Sequence, residues 1–260
     1  MKKLSQIGVI VSVMLLSGLS LPVNAFVIPP SIQSQAATKL VNIQIKAKQG
    51  NADAQFLLGL MYLSGRFVIQ DTEQGLYWIN LAAQQQHIKA QQTLADLAFE
   101  GHKLFPRDLA LAEKWYLKMV EQGDKWAHFR LGFIYSAGGD GVARNCGKAM
   151  EQFSAAGDAV SMGNVAWILA TCPEAEYRDG SRAVSMSLKL LENNKNDPTV
   201  LDNLAAGYAE LGDFTAAIDT QKKAIDALKD NPEIVRSDEF ILRLEQYKNK
   251  QAYREVIPLM

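Results

Sequence analysis

Two ladders of small residues restrict this chain more than any other feature. One sets a large aliphatic residue before Gly or Ala at Leu58-Gly59, Leu94-Ala95, Leu131-Gly132, Val165-Ala166 and Leu204-Ala205, in steps of 36, 37, 34 and 39. The other sets Gly75, Ala112, Ala149, Ala183 and Ala217 in steps of 37, 37, 34 and 34. Self-similarity at a period of roughly 20–50 residues marks a repeat array. The residue types supply the reason. Helix axes pack roughly 8–10 Å apart, depending on the side chains at the crossing. Gly or Ala at one level in both helices lets the backbones approach, while Leu and Tyr one turn away fill the groove beside them. One hairpin cannot bury its own apolar face, so each needs a neighbour, and stability becomes a sum of repeat and interface terms.

The best-preserved unit is Gly123–Ala156, with Leu131-Gly132 and Tyr135 on a first helix, Gly138-Gly139-Asp140-Gly141 as the turn, and Ala149 on a second helix. Weaker copies occupy 50–85, 86–122, 157–193 and 196–228. The text Ala54-Gln55-Phe56-Leu57-Leu58-Gly59, Tyr62 and Gly65, then Trp78 and Ala82-Ala83, returns as Ala127, Phe129, Leu131-Gly132, Tyr135, Gly141-Val142 and Ala155-Ala156. It resembles Sel-one-like repeats, longer-turned relatives of the tetratricopeptide repeat. The stretch Ala166–Pro173 with Asp179-Gly180, and Leu201–Gly212 with Ala217 and Ala224, resembles ordinary tetratricopeptide repeats. The resemblance implies an all-α, right-handed α-solenoid of helix-turn-helix repeats. Three Sel-one-like units would fill 50–157 and two tetratricopeptide-like units 158–229, with a C-terminal capping helix and tail over 230–260. Such folds host many unrelated functions, so the resemblance implies an interaction role without naming the partner.

Met1–Ala25 has Lys2 and Lys3, an apolar run from Ile7 to Leu21, and the small pair Val23 and Ala25. This pattern predicts a secretory signal peptide cut after Ala25. The run falls short of the ~20 residues of a spanning helix, so no stable membrane insertion is expected after cleavage. The implied location is periplasmic or secreted. Residues 26–49 read as a leader containing Pro29-Pro30 and an N-terminal capping helix carrying Leu40, Ile43 and Ala47. Removing two lysines from 27 basic residues leaves 25 against 28 acidic ones, and that balance offers no footprint for nucleic acid. Near the other end, Phe240, Ile241, Leu244 and Tyr247 share one face of Asp238–Lys248.

Few residues suggest chemistry. In a stacked array every first helix ends, and every second helix begins, at the same edge. Cys146 and Cys172 therefore fall together on neighbouring units, either bridged as exported chains favour or as separate core residues. His87, His102 and His128 show no metal-ligand spacing. The Gly138–Gly141 turn lacks the flanking strand and lysine of a phosphate loop. No enzyme, metal site or cofactor is expected.

The remaining candidate is the concave face, built from first-helix positions that point away from the partner helix: Asp53, Phe56, Leu60, Gln92, Asp96, Phe99, Trp126, Phe129, Phe133 and Asp202. Trp126, Phe129 and Phe133 form a stripe at i, i+3, i+7, and aromatics are enriched among residues that dominate interfaces. Equally, Phe56 and Phe129 match a position that resembles a packing site of Sel-one-like repeats. The expected function is an exported adaptor for an envelope protein or peptide, of unspecified oligomeric state. Two alternatives stand beside it. One is a cell-wall-associated binding or modifying protein, an analogy weakened by the presence of only two cysteines. The other is a structural protein that assembles through its stacked ends.

Overall fold

The computed structural model describes residues 32–101, 105–230, 237–255 and 257. The expected signal peptide and its cleavage site, Pro29-Pro30, His102 and Asn231-Pro232 lie outside the described residues. Among the described residues there are twelve α-helices and no strand beyond isolated bridges. Helix α1 (Ile32–Lys48) precedes five hairpins. These are α2 (Ala52–Ser64) with α3 (Thr72–Gln84), α4 (Ile88–Glu100) with α5 (Leu109–Glu121), and α6 (Lys125–Ala137) with α7 (Cys146–Ala156). They continue as α8 (Ala159–Thr171) with α9 (Gly180–Leu191), and α10 (Pro198–Glu210) with α11 (Phe214–Ala227), before α12 (Ser237–Lys248). None of these helices is long and apolar enough to cross a membrane.

Sequence dictates where the helices of the five hairpins start. Asn51, Asp71, Asp108, Asp124, Asn145, Asp158, Asp179, Asp197 and Asp213 each cap a helix, their side-chain oxygens accepting a first-turn backbone N–H. Such caps satisfy donors that the helix itself leaves unpaired. His87 does the same for α4, its Nδ1 accepting from Ala90 N at 3.1 Å. It is a cap residue and also lies 3.1 Å from Asp53.

Each helix packs on the next, and α8 also packs on α10. The ladder residues sit where the backbones come closest. A Cβ added at Gly59 would lie 2.8 Å from Gly75 O, and one at Gly132 would lie 2.6 Å from the Phe153 ring. Ala95, Ala112, Ala149, Ala166, Ala183, Ala205 and Ala217 are fully buried at the corresponding levels. A continuous apolar core therefore threads the array from Ile79 to Ala206. Cys146 and Cys172 are joined in a disulfide with their Cα atoms 6.5 Å apart, which ties the third hairpin to the fourth.

The C-terminal end departs from the repeat. Helix α12 packs on α11 through Tyr247, which is wholly buried. The chain then turns back across α8 without regular secondary structure. Glu255 N donates to Thr171 O at 3.0 Å, and the Tyr253 ring lies 5.9 Å from Trp167. Arg254 reaches Glu210, which Arg178 also holds at 2.9 Å.

Candidate functional site

The same ladder register that sets the packing also lays out one face of the first helices. In α6 that face carries Trp126, Phe129 and Phe133. One step of the ladder further on stand Val160, Gly163 and Trp167 in α8, and the next step gives Thr199, Asp202 and Ala206 in α10. Where α6 fills the space with the Phe129 ring, α8 has no side chain at all. A cavity of about 540 Å³ opens there, walled by Phe133, Gly163 and Trp167 and closed on the far side by α12 and Ile257. Trp126 stacks on Phe129 at 5.1 Å, and Phe129 meets Phe133 edge-on at 4.9 Å. An aromatic run therefore leads along α6 to the cavity mouth. Trp126 is 44% exposed and Val160 65% exposed, so both are presented to solvent.

One wall is fixed by a buried ion pair. Arg243 of α12 donates through Nε to Asp202 at 2.9 Å, and Gln221 Nε2 donates to the same carboxylate at 2.7 Å. The guanidinium is ringed by Phe240 at 5.0 Å, Trp167 at 5.2 Å and Tyr253 at 5.4 Å. Burial acts against the charge on Arg243, but Asp202 more than offsets it and holds the guanidinium above its ordinary pKa. Cations within roughly 6 Å of an aromatic face gain further from the ring quadrupole. Beside this wall Asn203 Nδ2 donates to Gly163 O at 2.9 Å, and the buried Asn164 amide nitrogen has no partner among the described residues. Asp197, Glu239 and Glu255 add carboxylates to the lining.

The residues expected on the concave face fall into three places. Asp53, Phe56 and Leu60 belong to the first hairpin, where Asp53 is exposed beside His87 and the Phe56 ring lies 4.8 Å from it. They are remote from the cavity lining. Gln92 and Asp96 are half-buried on α4, and Asp96 accepts from Tyr116 Oη. Trp126, Phe129, Phe133 and Asp202 are the ones that meet at or beside the cavity. Two expectations require correction. Phe99 is a core side chain, 5% exposed, because its ladder position continues into buried Ser136 and Ala170 rather than onto the open face. Its outer side is covered by Arg130, 4.7 Å away. Asp202 is no free surface carboxylate either, being 4% exposed and committed to Arg243.

Sequence reasoning missed Val160, Gly163, Trp167, Asn164, Arg243 and Ile257. Continuing the ladder from the α6 stripe by one period would have found the first three. Nothing periodic announces Arg243 or Ile257, since both lie beyond the last repeat.

These features define a helical-repeat protein whose groove is formed by first helices and closed by its own C-terminal segment. The repeats themselves are identifiable: residues 52–87, 88–124 and 127–159 match the Sel1 repeat, so the chain carries three Sel1 repeats within an α-solenoid. A Sel1 repeat protein from Oxalobacter formigenes shares this fold, with a TM-score of 0.58 and 21% identity over 76% of this chain. A protective antigen of uropathogenic Escherichia coli displaying an SLR fold aligns over 84% of this chain at 20% identity, with a TM-score of 0.47. The alignments span 58% and 57% of those two chains. No curated protein matches the sequence significantly.

Proposed function

We propose that this chain is an exported docking protein whose first-helix groove holds an extended segment of another protein, without covalent chemistry. The observation that carries this reading is the cavity opened at Gly163, continuous with the aromatic run on α6 that reaches solvent at Trp126. Two further facts support it. Repeats of this kind generally mediate protein–protein interactions. The α8 face beside the groove also already accepts main chain, since the Tyr253–Glu255 segment lies across α8 with a main-chain hydrogen bond to Thr171. Export rests on the basic, apolar and small-residue order of Met1–Ala25.

A photo-crosslinking residue at Val160 tests the groove, with Tyr77 on α3, 53% exposed, as the outward-facing control. A discrete adduct is expected from position 160 and none from position 77. Adding Gly163→Phe, which places in α8 the ring that α6 has at the equivalent position, should abolish that adduct. Equal adducts from both positions, or an adduct indifferent to Gly163→Phe, would defeat the reading. Export is tested separately, by whether periplasmic fractions contain a chain beginning at Phe26.

A further inference from the structure

We infer that the segment after α12, residues 251–257, is a built-in competitor for the groove: it lies on ground that a docked segment needs, and it lifts away to release it. This rests on the docking reading above and supplies its regulation. The segment takes what α8 leaves open. A helix leaves its last four carbonyls without a partner of its own. In α8, Ile168 O accepts from Cys172 N and Leu169 O accepts from Asp179 N. The last two carbonyls are met by the C-terminal segment, Ala170 O by Arg254 Nη1 at 3.4 Å and Thr171 O by Glu255 N at 3.0 Å. Tyr253 lies beside the Trp167 ring that walls the cavity, and Glu255 and Ile257 line the cavity itself. Main chain of a partner that ran on from the cavity along α8 would need the same carbonyls and the same ring.

Three features fit the segment to leave. First, α12 already closes this end of the array. Its Phe240, Arg243 and Tyr247 are buried, whereas no described residue between 251 and 257 is. Second, departure strands no buried charge, the loss that makes breaking an ion pair costly. Glu210 keeps Arg178 at 2.9 Å when Arg254 withdraws, and Asp202 keeps Arg243 at 2.9 Å. Arg243 in turn keeps the Trp167 and Phe240 rings when Tyr253 goes. Third, the pivot is separate from the segment. Helix α12 ends in a left-handed turn at Lys250, φ 56°, where Lys250 N donates to Tyr247 O and Gln251 N to Gln246 O. That turn closes on α12 itself, so the chain beyond it lifts off α8 without unwinding the helix. Segments with little buried surface are those that open locally while the core stays folded.

Hydrogen exchange on the unaltered full chain tests release directly. Corrected for intrinsic rates, the Glu255 amide should exchange at least about tenfold faster than the Ile168 amide inside α8. Equal protection would mean that the segment leaves only when α8 unfolds, and the inference would be wrong. Competition is read by fluorescence anisotropy with a labelled peptide of residues 251–257, added to the parent chain and to the full chain carrying Tyr253→Ala and Arg254→Ala. A tethered segment holds its site at high effective concentration, so the double variant should bind the peptide at least about tenfold more tightly than the parent. If circular dichroism shows the double variant unfolded, Arg254→Ala alone makes the same comparison. Equal affinity, or binding to neither, overturns the inference. The photo-adduct at position 160 keeps its fate apart from that of the docking reading. Release of the segment should raise the yield of that adduct. A yield that stays the same and still falls with Gly163→Phe leaves the docking groove standing and removes the competitor. No adduct from either chain removes both.

Discussion

Replacing three glycines by alanine, one at a time, isolates the close approach on which this solenoid depends. All three lie inside first helices, so each substitution removes a glycine penalty of about 1 kcal/mol. They differ in what the new Cβ meets. At Gly163 it would find only Asn203 Nδ2 at 3.6 Å, an ordinary contact. At Gly132 it would lie 2.6–2.7 Å from three atoms of the Phe153 ring. That ring is wholly buried among Phe129 and Phe133 and has little room to swing. At Gly59 it would lie 2.5 Å from Ile79 Cγ1, 2.8 Å from Gly75 O and 3.0 Å from Ile79 N. Two of those three atoms are backbone, so only separation of α2 from α3 relieves them. Overpacking a well-fitted site costs about 1–3 kcal/mol, and the backbone clash belongs at the upper end. Gly163→Ala should therefore gain about 1 kcal/mol, Gly132→Ala should lose about 1, and Gly59→Ala about 2. Urea unfolding followed by far-ultraviolet circular dichroism reads the order directly, with slopes compared to exclude a change in the unfolded state. Should Gly59→Ala prove as stable as Gly163→Ala, the ladders would not be close-packing devices, and small residues would need another explanation throughout the array.

Two further outcomes follow from particular contacts. The Cys146–Cys172 bridge closes a loop with a sequence separation of 26 residues, for which the chain-entropy relation gives about 3.5 kcal/mol, so the double Ser variant should lose stability on that scale in urea. A loss under about 1 kcal/mol would mean that α7 and α8 hold their places without the bridge. Burial pushes the Asp158 carboxyl up, but hydrogen bonds from Ser161 and Val160 more than offset this and leave it below its ordinary 3.8. The cap of α8 should then contribute fully above pH 3.8 and weaken as pH falls through the lowered value. Asp158→Asn keeps a capping oxygen without the titration, so it should lose less stability than the parent between pH 6 and pH 2. An identical acid response in both proteins would remove Asp158 as the cause.

Most of the scaffold was legible because each cause of it is local and repeated. An Asx cap, an aliphatic–small pair and a second small residue recur from unit to unit, and each has one physical role wherever it appears. The C-terminal segment was harder to read for the opposite reason. Asp202 could be assigned to the open face from its register. Its partner Arg243 sits 41 residues later on a helix outside the ladder, so the ion pair that buries Asp202 has no signal in the period. The Tyr253–Glu255 segment likewise docks through a main-chain hydrogen bond, ring contacts of Tyr253 and the reach of Arg254 to Glu210, none of which leaves a spacing to detect.

This contrast bears on where such an array keeps its function. Residues at equivalent positions of successive first helices run Phe56, Gln92, Phe129, Gly163 and Asp202. The period explains why all five share a face, and it says nothing about why their sizes differ. Packing alone would favour keeping a ring or an amide at every level, since a void forfeits contacts on one side of each lining atom. The series instead drops to hydrogen at Gly163, next to a charged wall at Asp202 and directly below the most exposed first-helix aliphatic, Val160. A glycine inside a helix is costly, and here the local Cβ clearance shows that no neighbouring backbone demands it, unlike Gly59. On the docking reading proposed above, the space at Gly163 is where the bound segment enters, and Gly163→Ala, tolerated by the fold, is the change that separates that use from packing.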